Sequence, residues 1–453
     1  MKKLFLITFF LIQYFLLDFR YCNAQWSEVG GLNALGANYY VATLCFDTTG
    51  NLYAAGAFTN SSGNRYVAKW DGTTWSEVGG LNGLAANSII MTLCIDSNNN
   101  LYAAGDFTNA NGKRYVAKYD GTTWSELGGL NGLNANSNIR SICSDAQGNI
   151  YAAGNFVNPV TVDYYVAKFN GTTWGELAGV DSLKANNIIG VVDIDDSGNV
   201  YAAGGFQNSI AKCYVAKFNG AHWSEVGSGL DTLKANNGIN TITLNDFNVA
   251  GGFTNANNKQ YVAHWSSIMW SEVGGLNALS ANNGIIKLYN NKFGNLYAAG
   301  AFKNANNHTY IAFYNGILWS ELGGVSSLIA TTSLVDVISD RYGNIYTCGG
   351  IQNSSGNYYV AKYTDPNSIA EYQNDLSFSA YPNPATDNLN LVLTSKQPLT
   401  ISIQNTLGET IIGKTNLKQD SLQLNITALD PGIYFITLAN NKKSVTKKFV
   451  KAN

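Results

Sequence analysis

The chain has 453 residues, a formal net charge of −2, and 45% apolar against 13% charged residues. That is enough apolar material for a large core, and it excludes an intrinsically disordered chain. With no Lys/Arg run in its repeated part, the chain lacks the basic footprint of a nucleic-acid binder, so no nucleic acid is expected as a partner.

Residues 1–24 read as a secretory signal peptide: Lys2 and Lys3, an apolar run from Leu4 to Leu17, then Cys22-Asn23-Ala24 as a small-x-small cleavage site. The run is too short for a comfortable membrane span, so no transmembrane segment is expected in the mature chain. Tyr21, where lipoprotein signals carry a small residue, argues against a lipid anchor at Cys22.

Beyond the signal the chain repeats. Trp26, Trp75, Trp124, Trp174, Trp223, Trp270 and Trp319 recur at spacings of 49, 49, 50, 49, 47 and 49 residues, most opening a WSEVGG-like run. A period near 50 built of short strands predicts β-propeller blades. In one copy, VATLCFD (41–47) reads as a strand, NLYAAGAF (51–58) as a second, RYVAKW (65–70) as a third and TWSEVGG (74–80) as a fourth. Asp71-Gly72 makes a hairpin turn, 60–64 a polar loop, and 81–87 the crossover to the next unit.

Strand counting adds closure. Seven third strands begin at Tyr66, Tyr115, Tyr165, Tyr214, Tyr261, Tyr310 and Tyr359, but the last has no WSE run after it, while the run at Trp26 precedes every other strand. Residues 26–31 are therefore expected to supply the outermost strand of the seventh blade and close the ring, removing the open edges of a linear array. Cys45, Cys94 and Cys143, one period apart in apolar runs, suit buried thiols better than disulfides, as does Cys348 in place of a repeat alanine.

After Tyr363 the composition shifts: five of the six prolines and eight lysines fall in the last 90 residues, and no tryptophan does. The expected organisation is all-β: a seven-bladed propeller over 25–363, a linker over 364–375, and a C-terminal unit over 376–453. Alternating runs such as LNLVL, LTISIQ and IYFITL predict an immunoglobulin-like β-sandwich there.

Tyr381-Pro382-Asn383-Pro384, Gly408 after an apolar strand, Gly432 and Tyr434 in PGIYF, and Lys447-Lys448 near the end closely resemble the type A C-terminal sorting domain of the type IX secretion system. The resemblance covers roughly 376–453. It implies handling by the secretion machinery of an outer-membrane translocon of Bacteroidota, and a secreted or cell-surface destination reached through the periplasm. It also implies removal of the tail, with release of the cargo or its attachment to surface lipopolysaccharide.

The repeat resembles kelch-type propellers in its small-Gly pair, tyrosine and tryptophan, but departs from them in carrying AAG and a longer Tyr-to-Trp gap. No catalytic constellation is visible, so a non-enzymatic module is expected, with no cofactor or metal. Glu28, Glu77, Glu126, Glu176, Glu225, Glu272 and Glu321 recur in every blade, as scaffold does, rather than forming the unequal carboxylate pair of a glycosidase. His222, His264 and His308 are scattered, and the repeat breaks are a short turn after Leu244 and the loop 158–163. The candidate ligand face is a ring of amides in the second loop of each blade: Asn60, Asn109, Asn158, Asn208, Asn255, Asn304 and Asn353. A second series, Asn38, Asn87, Asn136, Asn236 and Asn282, lies in the crossovers. Asparagine also serves left-handed turns. The expected ligand is a glycan or a protein partner, bound by repeated weak sites that add through avidity; the alternative is a carbohydrate-active hydrolase or lyase on the same scaffold.

Overall fold

The computed structural model describes residues 25–80, 83–227, 231–325, 327–364, 378–381, 384–393, 399–417, 421–439 and 444–452. The signal segment 1–24 and nearly all of the expected linker lie outside the described residues. Two compact units are present, Met1–Ser368 and Ile369–Asn453.

Among the described residues the first unit consists of seven four-stranded antiparallel sheets arranged as propeller-like blades. The first blade is built from Val41–Phe46, Leu52–Gly56, Ala68–Trp70 and Trp75–Glu77 in chain order. Its hairpins follow from turn chemistry. The Asp71 carboxylate accepts the backbone N–H groups of Thr73 and Thr74, and Gly72 takes the left-handed φ of +101° that the turn needs. Those bonds hold the Asp71 carboxyl down at about 2. At the other end, Asp47 accepts from the amides of Thr49 and Asn51 and from the Tyr53 hydroxyl. The Asp–Tyr contact recurs at Tyr102, Tyr151, Tyr201 and Tyr346.

The repeated Ala-Gly pairs divide their labour. Gly56 faces its own inner strand so closely that a Cβ would overlap the carbonyl oxygen of Tyr40, and Gly105, Gly154 and Gly300 face theirs in the same way. At this point each inner strand carries a register shift, between Val41 and Thr43 in the first blade. The alanines do the packing between blades: Ala54 lies in the core shared with the seventh blade, and Ala55 in the core shared with the second.

The seventh blade pairs Leu334–Ser339, Ile345–Gly349 and Ala361–Thr364 with Gln25–Glu28, Trp26 opposite Tyr363. The amides and carbonyls of Arg65 and Ala86 exchange hydrogen bonds between neighbouring blades, and the same bridge joins Tyr358 to Ala37. One apolar cluster unites Val41, Leu44 and Phe58 of the first blade with Ile338, Tyr346 and Val360 of the seventh. The seventh blade thus meets the first.

The repeated tryptophans bind blade to blade. Each indole N–H donates to the carbonyl oxygen that ends the outer strand of the preceding blade: Trp75 to Val29, Trp124 to Val78, Trp174 to Leu127, Trp223 to Leu177, Trp270 to Val226 and Trp319 to Val273, at 3.0–3.3 Å. Trp26 donates to Leu322 of the sixth blade at 3.4 Å, so it holds the seventh place in the series.

The second unit contains a three-stranded sheet (Phe378–Tyr381, Asn388–Leu393, Ser421–Asn425) and a four-stranded one (Leu399–Gln404, Thr410–Leu417, Gly432–Ala439, Ser444–Lys451). Leu389, Leu391 and Leu424 from the first and Ile401, Ile436 and Phe449 from the second share one core.

Trp124→Phe keeps the aromatic bulk and removes one inter-blade hydrogen bond, so it should lower stability by about 1 kcal/mol. Trp26→Ala removes both bond and bulk at the seam, and a loss of about 3–5 kcal/mol is expected. Denaturant unfolding of the two variants checks the order.

Candidate functional site

Both asparagine series lie on one face, and both are engaged by the scaffold. The Asn60 amide donates to both oxygens of Glu77 at 3.1–3.3 Å, while its own oxygen accepts the N–H groups of Ser62 and Asn64. The same lock joins Asn109 to Glu126, Asn158 to Glu176, Asn208 to Glu225, Asn255 to Glu272, Asn304 to Glu321 and Asn353 to Glu28. The crossover amides are tied to the second loop of their own blade: Asn38 to Thr59, Asn87 to Thr108, Asn136 to Val157, Asn236 to Thr254, Asn282 to Lys303. Asn186, tied to Gln207, is a further member that the sequence pattern alone passed over. The face therefore carries rings of amides whose hydrogen-bonding groups are largely occupied.

In the first blade this arrangement leaves the Glu77 carboxylate half-buried rather than enclosed. In the first blade a cleft of about 380 Å³ opens between the crossover residues Asn33–Leu35 and the outer strand, lined by Trp75, Glu77, Asn60 and Tyr66. Trp75 is half-buried, its indole N–H already spent on the neighbouring blade. Each Glu77 oxygen that accepts one bond from Asn60 has further lone pairs. Burial and then the nearby Glu77 charge push the Tyr66 hydroxyl above its usual range, so it remains a neutral donor. The cleft thus offers an aromatic ring, a hydroxyl and an acceptor carboxylate.

The strongest departure from the repeat lies on the inner strands. At the third strand position most blades carry Thr or Ser, but the sixth and seventh carry Lys287 and Asp336, whose side chains approach to 3.5 Å. Asp336 is almost wholly buried and also accepts the backbone N–H of Leu44 in the first blade at 2.8 Å. At the fifth position the thiols of Cys45, Cys94 and Cys143 are followed by Asp193 in the fourth blade. Burial raises the Asp193 carboxyl to about 6, against the pull of the Ile194 amide and Lys287. The Asp336 charge in turn raises Lys287 above its usual range despite its burial.

Burial also pushes the Cys94 thiol up to about 12, and the Cys45, Cys143 and Cys348 thiols well above their usual value. All five described cysteines are free, and such thiols are poor nucleophiles and poor metal ligands. Among the described residues no group of three His, Cys, Asp or Glu side chains could hold a metal ion. His222 contacts Asp181 and His264 contacts Asn248, on different blades.

In the second unit Tyr434 points into the core, its hydroxyl donating to the Asp430 carbonyl at 2.9 Å and its ring stacked on Phe449. Gly408 holds a turn at φ +83°, and Gly432 begins a strand. Tyr381 pairs with Asn390, Pro384 is exposed, and Lys447 and Lys448 lie exposed on the last strand. Pro382 and Asn383 lie outside the described residues.

Residues 379–452 match the family of secretion system C-terminal sorting domains. The tail is a type IX sorting domain, and it directs the chain to a secreted or cell-surface location. No curated protein matches the chain. Among solved structures, the fucose-specific lectin from Aleuria aurantia is 14% identical with a TM-score of 0.38, over 63% of this chain and 94% of that one. A structural genomics protein of unknown function from Bacteroides thetaiotaomicron is 12% identical at 0.41, over 75% of each. A putative oxidoreductase (glucose dehydrogenase) from Thermus thermophilus is 14% identical at 0.36, over 61% and 93%. At these values none of the three assigns this chain an activity or a ligand. Among the described residues no helix is long and apolar enough to cross a membrane.

Asp193 yields a pH prediction. Its folded value lies above that of an unfolded carboxyl, so between about pH 4 and 6 the folded state holds more of this proton, and this group's contribution to stability falls as pH rises through that window. Asp193→Asn should flatten that decline, which thermal midpoints measured from pH 4 to 7 would reveal.

Proposed function

We propose that this chain is a secreted or surface-attached binding module: a closed, kelch-like seven-bladed ring over 25–363 that engages glycans multivalently and has no catalytic role. A cleavable signal over 1–24 leads to the periplasm. An immunoglobulin-like sorting sandwich over 376–453, reached through a linker over 364–375, then leads out of the cell through the type IX machinery of Bacteroidota. Tyr381, Pro382, Asn383, Pro384, Gly408, Gly432, Tyr434, Lys447 and Lys448 are the residues this reading assigns to sorting.

The observation that carries the glycan reading is the rim cleft of Trp75, Tyr66 and the Asn60–Glu77 lock. A sugar presents an apolar C–H face and a fringe of hydroxyls. An aromatic ring takes the first, and a carboxylate held rigid by an amide accepts from the second. The asparagine ring acts here by positioning: each amide aims its glutamate. Because the Trp, Glu and Asn recur in every blade, sites weak individually add on a polymeric ligand. The same sevenfold recurrence supports a non-enzymatic role, since one reaction centre needs two groups in unequal environments.

Two measurements test this. The mature chain, applied to a panel of neutral glycans, should bind polymers well above their monomers. Glu77→Gln combined with Glu126→Gln should weaken polymer binding several-fold at unchanged fold, and a folded protein that binds no glycan above background overturns the reading. Deleting 379–452 should leave the chain inside the cell envelope; its appearance outside would refute the sorting role.

A further inference from the structure

A second cleft, of about 320 Å³, lies on the asparagine-rich face between the fourth and fifth blades, with Arg140 of the third blade on its wall. Its size falls at the lower end of small-ligand pockets, about 300–1,000 Å³. Unlike the rim cleft, it is built from residues that depart from the first copies of the repeat. Gly190 stands where other blades carry Ala42, Met91, Arg140, Asn240, Ile286 or Val335. Gly205 stands where the first three blades carry Ala57, Asp106 and Asn155, and Gly238 where they carry Tyr40, Ile89 and Asn138.

None of these three glycines is demanded by the backbone. None has a left-handed φ, and a Cβ added at Gly190, Gly205 or Gly238 would meet nothing closer than 3.5, 3.3 and 3.7 Å respectively. Contrast Gly204 beside them, where a Cβ would collide with the Ile188 carbonyl. What the three glycines provide is space.

The walls of that space donate hydrogen bonds. Arg140 is exposed, its Nε anchored on Asn155 Oδ1 at 2.6 Å, which leaves both terminal amino groups without a partner among the described residues. Asn187 and Asn237 each use their side-chain oxygen to accept the next backbone N–H, at 2.8 and 2.7 Å, which leaves the amide nitrogens as donors without a partner among the described residues. Among the described residues no acidic side chain lines the cleft. A guanidinium with a free pair of amino groups matches a carboxylate, and flanking amides match hydroxyls.

We infer that this cleft binds the carboxylate of an acidic sugar unit, with Arg140 on the carboxylate and the Asn187 and Asn237 amides on ring hydroxyls. The inference goes beyond the rim reading and shares none of its residues, so each stands or falls separately.

The test is calorimetric titration of the mature chain with glucuronate and galacturonate, with glucose, galactose and succinate as controls. At least one uronate should bind at least tenfold more tightly than its neutral counterpart and than succinate. Arg140→Ala should weaken that binding about tenfold or more, and Arg140→Lys by less, as expected for a charge-assisted pair. Gly205→Leu should abolish it by filling the cleft while leaving the thermal midpoint near the parent's. No uronate binding at about 10 mM, equal binding of the neutral sugar or of succinate, or indifference to Arg140→Ala would each overturn the proposal.

Discussion

The indole N–H of each repeated tryptophan, donated to the last carbonyl of the preceding blade, is the contact on which the assembly of blades depends. Apolar packing between blades is strong but weakly directional, since alanines and aliphatic side chains tolerate sliding. A hydrogen bond at a fixed distance from the outer strand sets each blade's angle and height against its neighbour. Seven such bonds, with Trp26 reaching Leu322 as the others reach their own carbonyls, require every blade to take the same step. The Arg65–Ala86 type of bridge repeats that step on the loop face, and its copy at Tyr358–Ala37 joins the last blade to the first.

Once the step is fixed, repeated polar residues become internal. The asparagine of each second loop closes its own turn and holds a glutamate, and the crossover asparagine staples two loops together. A polar residue kept through all copies of a repeat is therefore scaffold first, and it meets ligand only through the atoms the scaffold leaves over. Residues that break the repeat have no such duty. Lys287, Asp193 and Asp336 break it where the inner strands converge and spend their charges on one another. At the loop face Gly190 breaks it, and with Gly205 and Gly238, which only some of the copies share, leaves a donor-lined hollow.

Reading the chain by period reached the blade order, the strand sequence within a blade and the displaced outer strand at Trp26, because a period of about 50 residues and a mismatch between strand counts survive without coordinates. The sorting tail was equally legible, since its motifs lie in order along the chain. The candidate site was legible only in part. The asparagine loops are legible as one face, offered either as a ligand face or as turn geometry, but whether an amide is free depends on a glutamate 17 or 18 residues away in six blades and 325 away in the seventh. The breaks that stand out by length fall after Leu244 and at 158–163, whereas the cleft beside Arg140 is opened by glycines that leave the length untouched.

The sequence by itself determined what is local or periodic: strands, turns such as Asp71-Gly72, the number of blades and the export address. These follow from residue preference and spacing, which act along the chain. Only the tertiary structure decided which polar atoms remain unspent, because that depends on neighbours brought together from different blades. Arg140, Asn187 and Asn237 belong to three successive copies of the repeat, and although Asn187 and Asn237 stand one period apart, no spacing rule sets Arg140 beside them. Their common cleft exists because inter-blade hydrogen bonds hold those copies at one angle.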